Sequence, residues 1–317
     1  MNSLYDAVII GAGMAGLTLA SRLKSLNKTF VILEKSAGVG GRLATRRGED
    51  CAFDHGAQFI RVKTKDPMVW PDLPQIQEIG KVWFNSEAMD HIAFPKGMTQ
   101  LPKALNFPEQ LRLKEKVIRI QKQNQTCCVE TDNGQIYECK ELYITSPLPQ
   151  SLALLQDSGI SYPAELNDIQ YASALVGLFR VQSSDKNILQ IRHLNEVTKE
   201  IFSVSNQLSK QVSQNLAFTV VMQPEWSRQR FNQEDTMSLQ EISTSFAEIL
   251  NQMAPSDSFT LVNSQLKKWR YSHPLAVFES PFVSLSTGPR IVLLGDAFGG
   301  GSIQGAIRSA YAVPFLT

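Results

Sequence analysis

The chain has 317 residues, of which 43 % are hydrophobic and 19 % charged, the composition of a folded, water-soluble protein. Its 31 basic and 30 acidic residues leave a net charge of +1, so no basic excess is available for a nucleic-acid partner. We expect a cytoplasmic protein without a membrane partner, because the apolar runs fall short of the ~20 residues of a membrane helix and no secretory leader is evident. Four cysteines without metal-site or disulfide spacing predict free thiols and no bound metal.

The first elements of the chain predict a βαβ unit. Asp6–Ile10 is a short apolar run with β-branched residues, typical of a buried parallel strand, and Phe30–Leu33 is a second such run. Between them lie the glycine-rich stretch Gly11–Gly16 and apolar residues at helical spacing. The second strand stops at the acidic residue Glu34. This order of strand, glycine turn, helix, strand and acid is the dinucleotide-binding fingerprint.

Each residue of the fingerprint has a physical role. Gly11 permits a tight turn, Gly13 lets the backbone approach a pyrophosphate, and Gly16 lets the helix lie close to the strand. The first helical residues, Met14 and Ala15, lie at the positive end of the helix dipole, where unpaired N–H groups favour phosphate binding. A carboxylate at the end of the second strand accepts hydrogen bonds from ribose hydroxyls. We therefore predict a bound dinucleotide.

The residues after the second strand favour FAD over NAD. Lys35 and a second glycine cluster, ending in Gly41-Arg42, follow the acid, and this sequence resembles the "E…GGR" signature of the FAD-containing amine oxidase and phytoene desaturase superfamily. A longer dinucleotide needs a second close approach of the backbone, and a guanidinium adds charge-assisted hydrogen bonds to the pyrophosphate. The resemblance implies that Lys35, Gly41 and Arg42 contact FAD.

Four further segments resemble the same superfamily. The resemblance places the first along the flavin ring, through Gly56, Ala57 and Gln58, and the second in a turn that opens a helix. It places the third in a single strand whose backbone reaches the adenine, through Val117, and the fourth in a strand that returns to the sheet. In that order, the segments are Phe53–Phe59, Lys96–Pro102, Leu111–Ile120 and Glu141–Pro147.

The C-terminal segment carries the strongest resemblance. Arg290–Asp296 predicts a buried strand that ends in Gly295-Asp296, and a glycine-rich stretch and a helix follow. In the superfamily the aspartate binds the ribityl chain of FAD. The resemblance also implies that the helix start, at Ser302 and Ile303, faces the pyrimidine edge of the flavin, where the positive end of the helix dipole stabilises negative charge.

Within the superfamily, most of the chain is more similar to bacterial renalase-like proteins than to monoamine oxidases. The similarity lies in Asp54–Phe59, Met222–Arg228 and Lys268–Pro274, whereas Phe202–Lys210 matches those proteins only in part. The resemblance implies FAD-dependent oxidation of 1,2- or 1,6-dihydro isomers of NAD(P), with hydride transfer to flavin N5 and O2 as acceptor, giving H2O2.

Two absences from the sequence agree with this interpretation. Monoamine oxidases hold a lysine near flavin N5, and the corresponding stretch Ile169–Phe179 contains none. No cysteine follows Cys139 to bind the flavin covalently, so we expect noncovalent FAD. Two alternatives stay open. One is an FAD-dependent amine oxidase, because amines also lose a hydride to flavin. The other is a non-catalytic protein that uses FAD as a scaffold.

Candidates for the substrate pocket are the aromatic and polar residues that the resemblance places near the flavin. They are Gln58, Phe59, Trp226, Trp269, Tyr271 and His273. Aromatic side chains are also common in cores, so a structural role competes for each of them, and His273 is a candidate proton acceptor. We expect His91 and His193 to be surface or structural residues, and the polar stretch Ser205–Gln214 to be a surface loop.

These observations predict an α/β fold in the arrangement of p-hydroxybenzoate hydroxylase. A Rossmann-like FAD-binding domain, over 1–66, 96–150 and 285–317, would carry an inserted α+β substrate domain over 67–95 and 151–284. The substrate domain would combine an antiparallel sheet with helices. Ser238–Met253 has apolar residues at helical spacing and predicts an amphipathic helix on that sheet.

Overall fold

The computed structural model describes residues 4–63, 78–86, 88–105, 107–287 and 289–315. The parts of the predicted domains that fall on 1–3, 64–77, 87, 106, 288 and 316–317 lie outside the described residues. Packing divides the chain into two compact units. The first unit comprises Met1–Gly41, Pro102–Tyr171 and His273–Thr317, and the second comprises Arg42–Leu101 and Ala172–Ser272. These units are defined by packing alone. The boundaries predicted for the FAD-binding and substrate domains therefore stay a prediction.

The chain begins with alternating strands and helices and is rich in strands thereafter. In chain order the strands are β1 (Leu4–Ile10), β2 (Phe30–Glu34), β3 (Thr45–Arg47), β4 (Ala52–Asp54), β5 (Ile60–Lys63), β6 (Lys81–Ser86), β7 (Met89–Ala93), β8 (Leu111–Leu113), β9 (Val117–Gln123), β10 (Thr126–Thr131), β11 (Ile136–Ile144), β12 (Tyr171–Ser183), β13 (His193–Asn195), β14 (Ile201–Asn206), β15 (Ala217–Met222), β16 (Phe259–Pro274), β17 (Val283–Thr287) and β18 (Arg290–Leu293). The helices are α1 (Met14–Ser25), α2 (Gln100–Ala104), α3 (Leu148–Asp157), α4 (Lys186–Gln190), α5 (Pro224–Arg230), α6 (Asp235–Met253), α7 (Asp296–Gly299) and α8 (Ile303–Ala312). Within the described ranges, none of the helices is both long and apolar enough to cross a membrane.

The first unit is built on a sheet with the strand order β17-β18-β11-β1-β2-β8. β1 runs parallel to β2 and β11, β11 to β18, and β2 to β8. β2 and β18 are buried along their whole length, which explains why their sequences are continuous apolar runs. β9 and β10 extend β11 as antiparallel neighbours. The predicted parallel α/β unit is confirmed.

The second unit contains a five-stranded sheet of order β13-β14-β15-β12-β16, in which β12, β13, β14 and β15 form antiparallel pairs. Smaller sheets pair β3 with β4, and β5 and β6 with β7. The predicted amphipathic helix is α6, which begins at Asp235 rather than Ser238. Its Phe246 packs against Phe179 and Phe218 of the five-stranded sheet, with ring centroids 5.0 and 5.4 Å apart.

Two predictions about elements are wrong. Leu111–Ile120 is not one strand, because β8 ends at Leu113 and β9 begins at Val117. Between them Lys114 has a φ of +60°, in the left-handed region, which breaks an extended strand.

The second wrong prediction concerns Ser205–Gln214, which is not a surface loop. β14 runs into it, and five of its polar residues, Ser205, Asn206, Gln207, Lys210 and Ser213, are buried. Their polar atoms find partners inside the protein. The Asn206 amide nitrogen, for example, donates to the Ile191 carbonyl at 2.9 Å, and its oxygen accepts from the Leu208 N–H at 3.0 Å.

The C-terminal residues are bound to the start of the first unit. Arg22, near the end of α1, donates from Nη1 to the carbonyl oxygens of Ala310 and Val313, the latter at 2.9 Å. Its guanidinium also lies 4.5 Å from the ring centroid of Phe315. The first helix and the last residues of the described chain therefore stabilise one another.

Candidate flavin site

Four parallel strands of the first unit end at one edge of its sheet, and the predicted cofactor residues follow these ends. β1 ends just before Gly11, β2 ends at Glu34, and β18 ends at Leu293, two residues before Gly295. Because β1, β2, β11 and β18 run parallel, their carboxyl ends share this edge. Ligands of open α/β sheets bind outside such an edge.

The glycine turn has the geometry that the fingerprint requires. Gly11 has a φ of +108°, a conformation that favours glycine. A Cβ on Gly16 would lie 2.1 Å from the Gly11 carbonyl oxygen, so a glycine there lets α1 approach β1 closely. A Cβ on Gly13 would meet nothing within 4 Å, so the helix start borders open space. No side chain of the described residues caps α1, and its first turn holds no acidic residue, which leaves the first-turn N–H groups, those of Met14 and Ala15 among them, suited to an anion.

Glu34 holds this turn in place. Its side chain is buried, and Oε2 accepts from the Ala12 N–H at 2.9 Å while Oε1 accepts from the Ser36 N–H at 2.8 Å. Each carboxylate oxygen keeps a further lone pair, so the group retains acceptor capacity toward ribose hydroxyls. The Glu34 carbonyl accepts from the Glu115 N–H at 3.0 Å, two residues before β9 begins at Val117, and the contact of Val117 with an adenine stays a prediction.

The second glycine cluster packs against the first. The Gly40 N–H donates to the Ala12 carbonyl at 2.8 Å. Gly41 has a φ of +53°, and a Cβ there would lie 3.8 Å from the Cα of Gly13. Lys35 is exposed and donates from Nζ to the Gln150 side chain at 2.9 Å. The two glycine clusters therefore lie against each other, and the close approach of Gly41 to a dinucleotide and the ligand contact of Lys35 stay predictions.

Asp296 is buried at the start of α7, and the Tyr171 hydroxyl donates to its Oδ1 at 3.0 Å. Tyr171, which the sequence analysis did not select, therefore orients the side chain of Asp296, the residue predicted to bind the ribityl chain. Ser302, which is exposed, caps α8 by accepting from the Gly305 N–H at 3.1 Å, and Ile303 is half-buried beside it. The roles of Ser302 and Ile303 toward a flavin stay predictions.

The first unit fits a dinucleotide such as FAD. It offers uncapped N–H groups at the positive end of α1, open space at Gly13, and the carboxylates of Glu34 and Asp296 beyond the ends of β2 and β18, with β1 and β11 between these strands. Phosphates match the N–H groups, and hydroxyl groups match the carboxylates.

In the second unit, the segment Asp54–Gln58 is fixed along its backbone. The His55 N–H donates to the Ala44 carbonyl at 3.1 Å, and the Ala57 N–H donates to the Arg42 carbonyl at 2.9 Å. A Cβ on Gly56 would lie 2.0 Å from the same Arg42 oxygen, so this approach requires glycine. The Arg42 guanidinium donates to the Ser272 carbonyl at 3.2 Å. The structure thus brings Arg42, Gly56 and Ala57 together.

The first residue of this segment, Asp54, belongs to a buried ion pair that the sequence analysis did not predict. Lys210 Nζ lies 2.7 Å from Asp54 Oδ2, and both side chains have no solvent exposure. The other carboxylate oxygen of Asp54 accepts from the Thr45 hydroxyl at 2.6 Å and from the Met98 N–H at 2.8 Å. Burial lowers the pKa of Lys210 from its ordinary value, and the Asp54 carboxylate opposes that shift. The one sequence signal was a lysine within the partly matching stretch Phe202–Lys210.

The side-chain amide of Gln58 is bound to the chain itself. Its nitrogen donates to the carbonyl oxygens of Asp54 at 2.7 Å and Gly56 at 3.1 Å. Its oxygen accepts from Gln207 Nε2 at 3.0 Å and from Lys210 Nζ at 3.2 Å. These four bonds use the full capacity of the amide. A contact of Gln58 with flavin or substrate stays a prediction, and the geometry favours a positioning role.

Trp269 and His55 form a stacked pair, with ring centroids 5.4 Å apart and planes inclined by 19°. Trp269 Nε1 also donates to the His55 carbonyl at 2.7 Å. Burial, with a smaller effect of Lys267, lowers the pKa of His55 to about 4, so its imidazole is neutral near pH 7. Tyr271 lies two residues after Trp269 on β16 and therefore on the same face of that strand.

The remaining candidates, Phe59, Trp226 and His273, do not belong to the Trp269–His55 pair. Phe59 packs in a cluster whose members are Phe59, Trp83, Phe84, His91 and His193. His91 is only 5 % exposed, so of the two expected positions, surface or structural, it takes the structural one. Trp226 is buried in the core of the second unit with the Arg230 guanidinium 4.4 Å from its ring, which favours a structural role. His273 is exposed near the end of β16.

Comparisons with protein families agree with this geometry. The family described as flavin-containing amine oxidoreductase matches residues 70–313, and the NAD(P)-binding Rossmann-like domain matches residues 9–73. The chain belongs to the flavin-containing amine oxidoreductase family. This is a family of enzymes whose flavin implies FAD.

Sequence relatives match only in part. The chain is 37 % identical over 60 residues to the probable flavin-containing monoamine oxidase A of Dictyostelium discoideum, over 19 % of this chain and 13 % of that protein. It is 29 % identical over 111 residues to a 4,4'-diapophytoene desaturase (4,4'-diaponeurosporene-forming) of Staphylococcus aureus, over 32 % of this chain and 22 % of that protein. Each match thus spans less than a quarter of the relative's length.

Solved structures share the fold over nearly the whole chain. A putative protoporphyrinogen oxidase from Exiguobacterium sp. 255-15 aligns with a TM-score of 0.69 and 12 % identity, over 96 % of both chains. A putrescine oxidase variant aligns with a TM-score of 0.72 and 11 % identity, over 97 % of both chains. The fold of this family member is therefore a Rossmann-like FAD-binding domain with an antiparallel-sheet substrate domain, as predicted.

Proposed function

We propose that the protein binds FAD noncovalently and oxidises a small organic donor, with O2 as the acceptor. The observation that carries this proposal is the uncapped glycine turn Gly11–Gly16, with Glu34 and Asp296 at strand ends on the same edge of the sheet. The chemistry that FAD supplies when bound is acceptance of a hydride and onward transfer of electrons to O2, which yields H2O2. The chain's own residues bind phosphate at α1, hold hydroxyl groups at the two carboxylates, and orient the donor.

An amine is the donor that the family membership supports best. The similarity to a probable monoamine oxidase and to putrescine oxidase points the same way. An aromatic surface such as the Trp269–His55 pair suits an amine with an apolar body. On this proposal the activity is that of an FAD-dependent amine oxidase.

A dihydronicotinamide, in its 1,2- or 1,6-dihydro form, is the second candidate donor, as in renalase-like proteins. Loss of hydride gives an aromatic pyridinium directly, so no basic residue is needed, and Ile169–Phe179 contains no lysine. The flat indole of Trp269 suits a planar ring.

An anaerobic stopped-flow screen separates these proposals. The FAD-loaded protein is mixed with monoamines, putrescine, NADH, NADPH and the 1,2- and 1,6-dihydro isomers, and the loss of flavin absorbance is followed. Fast bleaching by an amine supports the amine oxidase proposal, and faster bleaching by the isomers supports the renalase-type proposal. A flavin that stays oxidised with every donor would contradict both and favour a non-catalytic scaffold.

A further inference from the structure

We propose that the hydroxyl of Thr145 is a positioning group of the dinucleotide site. It fixes the glycine turn Gly11–Gly16 so that the first N–H groups of α1 face a pyrophosphate. This role deepens the proposed function and rests on it, because it concerns how the first unit binds FAD. Thr145 belongs to that unit, as do the glycine turn and the strands on either side of it.

Thr145 directly follows β11, at the edge of the sheet where the glycine turn lies. Its N–H donates to the Ile10 carbonyl at 2.9 Å, which extends the parallel pairing of β11 with β1 past the ends of both strands. The hydroxyl Oγ1 lies 2.9 Å from the same Ile10 oxygen and 3.2 Å from the Gly11 carbonyl oxygen. Both carbonyl oxygens are acceptors, so the hydroxyl donates its one proton toward them. Thr145 therefore binds the chain where β1 ends and the glycine turn begins.

Two glycines of the turn leave the space that this hydroxyl fills. A Cβ on Gly11 would lie 2.7 Å from Thr145 Oγ1, and a Cβ on Gly16 would lie 3.0 Å from it. A side chain at either position would therefore push the hydroxyl away from the carbonyl oxygens. The glycines of the fingerprint thus make room for Thr145, which lies 134 residues after Gly11 in the sequence.

The Gly11 peptide is held by the strands on both sides of β1. Its N–H donates to the Leu33 carbonyl of β2 at 2.8 Å, and its carbonyl accepts from the Thr145 hydroxyl. On the β2 side, Glu34 also accepts from the N–H of the next residue, Ala12. The Thr145 hydroxyl provides the matching attachment on the β11 side. Loss of this hydroxyl would weaken the attachment of the turn to β11 while the attachment to β2 remains.

The position of the Gly11 carbonyl affects the position of α1. A Cβ on Gly16 would lie 2.1 Å from this oxygen, so the first turn of the helix packs directly on the group that Thr145 binds. The unpaired N–H groups at the start of α1 point along the helix axis, and a shift of that axis redirects them. Donors that are oriented before an anion arrives lose less entropy on binding it. The hydroxyl therefore acts on phosphate affinity through the turn, without a contact of its own with the ligand.

Three substitutions test this role in the full-length protein. Thr145→Val removes the hydroxyl and keeps the branched shape of the side chain, whereas Thr145→Ser keeps the hydroxyl. Thr29→Val is the matched control. The Thr29 hydroxyl donates to Asp6 Oδ2 at 2.8 Å, just before β2 begins, so it lies in the same unit but at the opposite edge of the parallel sheet.

Each variant is titrated with FAD and, separately, with ADP, which carries a pyrophosphate but no flavin, and urea unfolding of the FAD-free chain measures its stability. We expect Thr145→Val to weaken the binding of both ligands by about tenfold, the effect of losing one orienting hydrogen bond. Thr145→Ser should bind both ligands more tightly than Thr145→Val does. Thr29→Val should lose stability and bind both ligands as the wild type does.

Wild-type affinity of Thr145→Val for FAD and ADP would overturn the inference, because a lower unfolding midpoint alone would mean that the hydroxyl is merely structural. Weakened FAD binding with unchanged ADP binding would also overturn it, as would equally weak binding by Thr145→Val and Thr145→Ser. If Thr145→Val does not fold, Thr145→Ala, which also lacks the hydroxyl, takes its place in each comparison. Failure of the wild-type chain to bind FAD would instead contradict the proposed function.

Discussion

Glu34 binds the N–H groups of Ala12 and Ser36, and the proposed ribose contact adds to these bonds rather than replacing them. The sequence alone suggests that ligand contact is the only role of this residue. The structure adds a role in the FAD-free chain, because the carboxylate accepts from the buried Ala12 N–H directly beside the glycine turn. Loss of the side chain therefore affects both the turn and its ligand.

We expect Glu34→Ala to weaken FAD binding by about ten- to a hundredfold, the loss of one hydrogen bond to a charged group. It should also lower the free energy of unfolding of the FAD-free chain by about 1–3 kcal/mol, because two backbone donors lose their acceptor. Flavin fluorescence titration and urea unfolding measure the two effects. Glu109→Ala, at an exposed carboxylate of the same unit, is the control. Wild-type FAD affinity in Glu34→Ala would refute the proposed ribose contact.

Histidine burial makes the stability of the second unit sensitive to acid. Burial is the main reason that the pKa values of His55 and His193 are lowered to about 4, and neighbouring cations, such as Lys267 for His55 and Lys210 for His193, act in the same direction. The unfolded chain binds protons below pH ~6.5, whereas the folded chain resists them until about pH 4. The stabilising contribution is therefore complete above pH ~6.5 and is lost as the pH falls toward 4.

For each of these two histidines the loss at pH 5 should be on the order of 2 kcal/mol relative to pH 7.5. Urea unfolding of the wild type and of His193→Asn at both pH values measures it. The variant should lose less stability on acidification than the wild type, by the contribution of one histidine. An identical pH dependence in the two proteins would count against a neutral, buried His193.

At the scale of elements, α1 can pack closely against the end of β1 because Gly16 has no side chain. A Cβ on Gly16 would lie 2.1 Å from a backbone oxygen of Gly11, and backbone cannot turn aside as a flexible side chain can. We expect Gly16→Ala to lower the free energy of unfolding by about 1–3 kcal/mol or more and to weaken FAD binding. Gly38→Ala is the control, because a Cβ there meets nothing within 4 Å. Thermal unfolding of both variants tests this, and equal melting temperatures would contradict it.

Local patterns in the sequence predict the elements whose burial is continuous or periodic, such as β1, β2, β18 and α6. They fail where a single backbone angle decides, as at Lys114 between β8 and β9. They fail again at Ser205–Gln214, whose composition resembles that of a solvated loop. Its burial depends on partners far away in the sequence, such as Asp54 for Lys210, which no local pattern reveals. The glycine turn was predictable because its chemistry is local, and the ion pair was not.

At the scale of the whole molecule, the chain should carry FAD as a dissociable group. We expect acid precipitation of the FAD-loaded protein to leave a colourless pellet and a yellow supernatant, since no cysteine follows Cys139 to form a flavin thioether. Added FAD should also raise the unfolding free energy, by about 2.7 kcal/mol at a hundredfold excess over its dissociation constant. A yellow pellet would contradict noncovalent binding, and a melting temperature unmoved by FAD would contradict binding to the folded state.

The completion of the parallel sheet by β18 has a consequence for biogenesis. β18 lies between β11 and β17, and Arg22 of α1 needs the carbonyl groups of Ala310 and Val313. The glycine turn leaves the ribosome early, and at about 5–20 residues per second these partners follow only after on the order of tens of seconds. Ribosome-bound chains that end before β18 should therefore retain no FAD, and cofactor uptake is a step that follows synthesis rather than one that guides it.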